Sequence, residues 1–155
     1  MDKLAMTEAM KASISKVLEQ MFFLPSDFIA PEKVCDETEL DDTLILAKLG
    51  FSGSPSGTFL LRIPLALAQI VSADFLGAAP QSLSGDQVTG TVLEMVNMLA
   101  GSTLSIYDHR ALFNLQIPEL ITINNVRALT EGIPDQILIG IRAPEGRMSF
   151  QLIIH

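Results

Sequence analysis

One segment of the chain recurs about half a chain length after its first occurrence. The segment VLEMVNML, residues 92–99, shares its Val, Leu, Glu and final Leu with VLEQMFFL, residues 17–24, at an offset of 75 residues. The length of 155 residues suits one domain. The repeat therefore predicts a single domain made of two half-repeats, about 1–78 and 79–155.

The composition is typical of a folded domain and argues against a membrane-spanning or nucleic-acid-binding chain. Apolar residues make up 48% of the chain and charged residues 18%, which predicts a large core. The longest apolar runs are interrupted, as at Arg62 and Pro64, well before the ~20 residues of a membrane span. A net charge of −8 without any basic run argues against nucleic acid as a partner. Because charges are scattered through the N-terminal segment, unlike in a secretory signal, we expect a cytoplasmic protein.

The residues that usually bind metals or form disulfides are few. Cys35 is the only cysteine, so it cannot form an internal disulfide, and His109 and His155 are the only histidines. We therefore expect no metal site in this chain and no cofactor bound by it.

The spacing of apolar residues predicts three helices and several short strands. Ser84 and Gln87 form the S-x-x-Q pattern of a capping box, which marks the start of the third helix. The strands are separated by turn residues, so we expect antiparallel hairpins in an α+β fold, with long helices packed on a mainly antiparallel sheet. The predicted helices cover 4–23, 65–77 and 85 to about 107, and the predicted strands cover 43–51, 58–63, 113–118, 120–123, 136–143 and 147–155.

The third helix is predicted to carry Glu94 and Asn97 on the side away from its core face. Gly90 lies one turn before Glu94 on that side, and Gly101 lies one turn after Asn97. A glycine inside a helix costs about 1 kcal/mol relative to alanine, so close approach by a partner is one reason for two of them. The alternative is that both glycines mark helix ends and that the polar pair is simply solvated. The predicted core face consists of Val88, Val92, Met95 and Leu99.

The chemistry open to this polar pair is limited. An amide and a lone solvated carboxylate are poor general bases at neutral pH, but an amide donates and accepts hydrogen bonds and can orient a water molecule. The glutamine of Ras-type GTPases orients the attacking water in this way. Glu94 would then pair with a cation on the partner, and Met98 would offer apolar contact at the edge of the same face. For Met98, ordinary exposure is the alternative.

The pattern E-x-x-N followed by Gly, here Glu94, Asn97 and Gly101, resembles the CheC/CheX family of chemotaxis phosphatases. The family is also similar in its pseudo-duplicated α+β architecture, in which each half carries a helix of this kind. The first copy in this chain keeps Glu19 but has Phe22 at the Asn position, so it resembles a copy retained for packing. A single E-x-x-N is more similar to CheX than to CheC, which usually keeps two.

This resemblance implies hydrolysis of the aspartyl phosphate on a CheY-like response regulator, in chemotaxis or a related two-component system. The regulator would bring the phosphoaspartate, a magnesium ion and a lysine. Asn97 would orient the attacking water and Glu94 would pair with that lysine, while Gly90, Met98 and Gly101 would line the partner-binding surface. This chain itself would then need no metal ligands.

Another class of function stays open beside the phosphatase. The same superfamily includes non-catalytic modules, such as the middle domain of a flagellar switch protein, which bind a regulator without hydrolysing it. Relatives often dimerise, so a homodimer is a further hypothesis, with the C-terminal strand at 147–155 as the edge that could pair.

Overall fold

The structure, a computed structural model, describes residues 1–30 and 44–155. Cys35 and the first residue of the strand predicted at 43–51 lie outside the described residues. Within them the chain forms four α-helices, a 3-10 turn at Pro80–Ser82 and seven strands. In chain order the helices and strands are α1 (Lys3–Met21), β1 (Asp27–Ile29), β2 (Leu44–Ser52), β3 (Gly57–Pro64), α2 (Leu65–Leu76), α3 (Gly85–Tyr107), β4 (Asn114–Leu115), β5 (Glu119–Leu120), α4 (Ile123–Thr130), β6 (Gln136–Ala143) and β7 (Gly146–Ile154).

The strands form one antiparallel sheet in the order β1-β6-β7-β3-β2-β4, and β5 also pairs with β2. Exchanging β1 with β4, β2 with β6 and β3 with β7 gives the order β4-β2-β3-β7-β6-β1. This is the original order read from the opposite edge of the sheet. A duplicated half-domain would produce this symmetry, and the duplication itself stays a prediction. The predicted α+β fold, with long helices on a mainly antiparallel sheet, is confirmed.

Alternate residues of the strands face the three long helices and form the main core. Along β3, Phe59, Leu61 and Ile63 are fully buried on this side. Phe150 of β7 stacks on Phe59, with ring centroids 5.1 Å apart and ring planes 2° from parallel. Burying one such large apolar side chain stabilises the fold by about 1.5–3 kcal/mol. The main core therefore decides which side of each long helix faces outward.

The opposite face of the sheet is covered in part by α4. Val126 of this helix forms a second cluster with Leu46, Leu60 and Ile153. These three strand residues alternate with main-core residues of β2, β3 and β7. The middle strands are therefore apolar on both faces, which explains why their sequences read as nearly continuous apolar runs.

Helices α1 and α3 pack side by side in opposite directions. The buried hydroxyl of Ser13 in α1 donates a hydrogen bond of 3.0 Å to the carbonyl oxygen of Leu99 in α3. Just before α1, the N–H of Asp2 donates to the hydroxyl of Tyr107 at the end of α3, at 3.4 Å. From Asp2 to Ser13 the partner in α3 moves back from Tyr107 to Leu99, so the helices are antiparallel. The two contacts also hold α3 at the turn that follows Asn97.

The three predicted long helices are confirmed, as are the hairpins β2–β3 and β6–β7. At the start of α3, the Ser84 side chain accepts a hydrogen bond of 3.1 Å from the Gln87 N–H. The Gln87 side chain accepts one of 2.8 Å from the Ser84 N–H, which completes the predicted capping box. Gly77 ends α2 with φ 66°, a left-handed conformation that glycine adopts without steric cost.

The segment after α3 differs most from the sequence prediction. The strand predicted at 113–118 is confined to β4, and the strand predicted at 120–123 is cut short, because β5 ends at Leu120 and α4 begins at Ile123. The Thr122 side chain accepts from the Asn125 N–H and the Asn125 side chain accepts from the Thr122 N–H, a second capping box. Apolar β-branched residues favour a strand here, and T-x-x-N is a weaker helix signal than the usual S/T-x-x-E/Q.

The C-terminal strand lies in the middle of the sheet. Because β7 pairs with β6 on one side and with β3 on the other, the prediction that it offers an edge for dimerisation is wrong. Pairing between β3 and β7 joins residues far apart in sequence, which local patterns do not encode. Among the described residues, the edges of the sheet are β1 and the short strands β4 and β5. The homodimer itself stays a prediction.

Phe23 follows α1 in a left-handed backbone conformation, with φ 55°, and its side chain is 66% exposed. The Leu24 N–H donates to the Leu18 carbonyl oxygen at 2.9 Å and closes the helix end around it, at a position where glycine is usual. A left-handed conformation costs a non-glycine residue roughly 1–2 kcal/mol. We therefore expect Phe23→Gly to raise the free energy of unfolding by about 1 kcal/mol, measured by urea denaturation.

Phe23→Ala is the matched control for this substitution. It removes the same exposed ring but keeps the Cβ atom that disfavours the left-handed conformation. Equal stability of the glycine and alanine variants would contradict the strain at Phe23.

Candidate functional site

Helix α3 presents Glu94 and Asn97 on its exposed side, while Met95 and Val96 between them are fully buried. Residues three apart on a helix have Cβ atoms about 5–6 Å apart, so the carboxylate and the amide lie side by side. Neither side chain has a hydrogen-bond or ion-pair partner within residues 1–30 and 44–155. The two groups are therefore free to act on something outside the chain. Their placement is the one that the periodicity predicts, and their roles stay predictions.

The helix that carries the pair is fixed on its other sides. Its inner face is buried against α1, α2 and the sheet, and Val92, Met95 and Leu99 are each no more than 1% exposed. The Ser84 capping box holds its start, and the Ser13 hydrogen bond holds the turn after Asn97. A site on such a rigid helix keeps its side chains pointing in one direction.

The two glycines lie well inside α3, so the alternative that they mark helix ends is wrong. At Gly90 an added Cβ would meet nothing within 4 Å, and at Gly101 it would only touch the Leu115 Cδ2 atom at 4.0 Å. Alanine would therefore fit at both positions. Packing within the described residues does not explain either glycine, and close approach by a partner stays a prediction.

Met98 is half buried and packs against the main core. It therefore stabilises the fold from the edge of the exposed face and offers only part of its side chain to a partner. Of the predicted partner-binding residues, Gly90 is exposed, whereas Met98 and Gly101 are half buried. Gly101 lies next to Leu115.

Residues 111–115, for which the sequence predicts no functional role, lie beside Gly101. A shallow depression of about 180 Å³ separates the end of α3 from residues 111–115, and its lining includes Gly101, Ser105 and Leu115. Past this depression, Leu112 is 92% exposed and Ile117 is 83% exposed. The sequence pattern at 113–118 predicts a strand of ordinary length, so it does not indicate that this segment is exposed.

The first copy of the repeat does not form a comparable pair. Glu19 is exposed, but Phe22 is fully buried just after the end of α1. Its ring stacks on Phe75 with centroids 4.8 Å apart. Glu19 instead borders a polar depression of about 420 Å³ that Asp27 and Arg142 also line. The position that carries the amide in the second copy is used for packing in the first.

The described residues contain neither a helix that could span a membrane nor a cluster of metal-binding side chains. No helix among them is long and apolar enough to cross a membrane. Residues 1–30 and 44–155 contain no group of three or more His, Cys, Asp or Glu side chains that could hold a metal ion. His155 makes a hydrogen bond of 3.0 Å with the Thr58 hydroxyl, far along the chain from Glu94 and Asn97.

Solved structures show which class of protein this fold belongs to. A chemotaxis protein CheX from Vibrio vulnificus is similar over 100% of this chain and 99% of its own, with 20% identity and a TM-score of 0.77. A CheC-like superfamily protein from Shewanella sp. PV-4 covers 100% and 99%, with 17% identity and a TM-score of 0.73. A CheX–CheY–BeF3–Mg²⁺ complex from Borrelia burgdorferi covers 96% and 96%, with 16% identity and a TM-score of 0.70. The chain has a CheC-like fold.

The sequence identifies the family more closely. Residues 45–139, more than half of the chain, match the family model described as chemotaxis phosphatase CheX. The chain therefore belongs to the CheX family. No curated protein matches its sequence.

The open space at Gly90 gives a stability prediction. Gly90→Ala should raise the free energy of unfolding by about 1 kcal/mol, because alanine is the better helix former and its methyl group meets no atom of the described chain. Urea denaturation measures the change.

Gly77→Ala provides the control, since it is the same chemical change at a left-handed position that also has nothing within 4 Å. There the effect should have the opposite sign, a loss of about 1 kcal/mol. If Gly90→Ala were destabilising as well, Gly90 would have a structural role. Close approach by a partner would then not be needed to explain this glycine.

Proposed function

We propose that this CheX-family chain is a phosphatase that accelerates hydrolysis of the aspartyl phosphate on a CheY-like response regulator. The observation that carries the proposal is the unpartnered pair of Glu94 and Asn97 on a rigid helix, between two glycines that the fold itself does not require. A carboxylate and an amide alone cannot catalyse much, so they suit an active site that a second protein completes. A cytoplasmic location is part of the same proposal.

Asn97 would act on the attacking water. Its amide oxygen accepts a hydrogen bond from the water and holds it in line with the phosphorus atom, while its NH2 group can donate to a phosphoryl oxygen. The water oxygen bonds to phosphorus as the bond from phosphorus to the aspartyl oxygen breaks. The regulator's carboxylate leaves with the electron pair, and inorganic phosphate is released. Positioning of this kind lowers the barrier, because the entropy of bringing the water to the phosphorus atom is already lost when the complex forms.

Glu94 would hold the regulator by an ion pair. Its carboxylate lies about one turn from Asn97 on the same face, so a lysine beside the phosphoaspartate could reach it while Asn97 contacts the water. Magnesium would come bound to the regulator and would neutralise charge on the phosphoryl group. The relative from Borrelia burgdorferi, solved with CheY, BeF3 and Mg²⁺, supports a regulator that carries the metal.

Asn97→Ala tests the catalytic role. We expect the phosphatase rate to fall by about 100-fold or more, because a positioned group that acts only in the transition state is worth roughly that much. The assay follows loss of phosphate from a magnesium-bound, phosphorylated CheY-like regulator of the same genome. Asn124→Ala is the control: Asn124 is equally exposed but lies on α4, across the sheet, and its substitution should leave the rate unchanged.

The same experiment distinguishes catalysis from simple docking. If the wild-type chain binds the BeF3 form of the regulator without speeding phosphate loss, the chain is a non-catalytic binding module. If Asn97→Ala and the wild type are equally active, Asn97 is not the group that orients the water.

Glu94→Gln tests the ion pair separately. Because glutamine has the same size without the charge, binding of the regulator should weaken, and the KM should rise more than kcat falls. The effect should also diminish at high salt, as expected for a charge interaction. Glu8→Gln, an exposed change on α1, is the matched control and should alter neither constant. An unchanged KM for Glu94→Gln would contradict the ion pair.

A further inference from the structure

A lysine of the neighbouring helix α1 lies beside the pair of Glu94 and Asn97. Helices α2 and α3 contain no lysine or arginine, whereas α1 contains Lys3, Lys11 and Lys16. Lys16 is exposed and makes no hydrogen bond or ion pair with residues 1–30 or 44–155. We infer that Lys16 is a docking residue that binds an acidic group of the phosphorylated regulator. The inference rests on the proposed function.

The packing of α1 against α3 sets the level of Lys16 along the two helices. The Ser13 hydroxyl donates to the Leu99 carbonyl oxygen, and the helices run in opposite directions. Lys16 lies three residues after Ser13, about 4.5 Å along α1. Because the helices are antiparallel, the same level in α3 lies about 4.5 Å before Leu99. That level falls between Glu94 and Asn97.

Lys16 lies on the side of α1 that borders α3. Successive residues are turned by about 100° around a helix, so Lys16 is turned about 60° from Ser13, whose hydroxyl contacts α3. Ser13 is buried and Lys16 is exposed, so this turn is outward. The axes of packed helices lie about 8–10 Å apart, and the long stem of a lysine covers much of that distance. The Lys16 ammonium group can therefore reach the space over Glu94 and Asn97.

Lys11 lies on the other flank of the same helix. It is two residues before Ser13, so it is turned about 160° from the side that contacts α3. Its Nζ atom lies 5.7 Å from the centre of the Phe28 ring in β1, the strand at the far edge of the sheet. Of these two lysines, Lys16 is therefore the one that lies next to the candidate site.

The chemistry of the regulator determines what Lys16 binds. Proteins hold Mg²⁺ with carboxylate and phosphate oxygens, so a regulator with Mg²⁺ beside its phosphoaspartate is rich in acidic groups there. This chain has a net charge of −8, and an acidic surface repels such a partner. Lys16 offsets that repulsion beside the site. Glu94 attracts the regulator's lysine and Lys16 attracts its acidic groups, so the two opposite charges fix the orientation in which the regulator docks.

Lys16→Gln tests the docking role, because it removes the charge and keeps much of the length. We expect the KM for the phosphorylated CheY-like regulator to rise about fivefold, the upper range for an exposed ion pair. The kcat at saturation should stay unchanged, because Lys16 does not touch the reacting atoms. Binding of the BeF3 form, measured by titration, should weaken by the same factor. The difference from wild type should shrink at high salt, and Lys16→Arg should restore most of the affinity.

Lys11→Gln is the matched control. It makes the same change of charge in the same helix, but on the flank that faces β1. It should change neither the KM nor the binding constant. An equal rise in KM for both variants would be an effect of net charge alone and would overturn the inference.

The double variant Lys16→Gln, Glu94→Gln separates direct contact from an effect through Glu94. If Lys16 contacts the regulator, Lys16→Gln should raise the KM further in the Glu94→Gln background, and the two fold-changes should multiply. If Lys16→Gln has no further effect there, Lys16 acts only by positioning Glu94, and the inference is wrong.

Two more results would overturn the inference. One is normal KM and binding in Lys16→Gln while Asn97→Ala is inactive, which leaves the proposed phosphatase intact. The other is loss of kcat in Lys16→Gln without a change in KM, which assigns Lys16 to the chemical step. If the wild type shows no turnover at all, the titration with the BeF3 form still tests Lys16, and the proposed function fails separately.

Discussion

The burial of one side of α3 against α1, α2 and the sheet is the interaction on which the rest of the structure depends. It uses the apolar residues that recur every three or four positions along the helix, and the hydrogen bond from Ser13 to Leu99 adds a fixed point in the middle of the packed surface. Because that side is completely buried, the opposite side has to face outward. Glu94 and Asn97 are therefore exposed as a consequence of core packing.

The architecture also explains why only the second copy of the repeat presents an amide on an exposed helical face. Helix α3 continues for several turns past Glu94, so the residue at the amide position lies on an open helical face. Helix α1 ends before Phe22, which turns into the core and stacks on Phe75. The same local pattern thus gives a surface residue in one half and a core residue in the other, because the two helices end at different points.

The described residues carry few candidate catalytic groups, which suits the proposed role of acting together with a second protein. The described residues contain no metal-ligand cluster, and the exposed face of α3 offers one amide and one carboxylate. Two features that suit a partner are present instead: a rigid helix and two glycines that leave open backbone. Belonging to the CheX family is consistent with this arrangement.

The sequence by itself determined the long helices, the two hairpins and the outward direction of Glu94 and Asn97, because helical and strand periodicity depend only on neighbouring residues. Only the tertiary structure decided that β7 is central, that Val126 of α4 packs against Leu60 of the sheet, and that Leu115 lies next to Gly101. Each of these depends on contacts between residues far apart in the chain. Strand order and surface continuity arise from long-range packing, which a local pattern does not record.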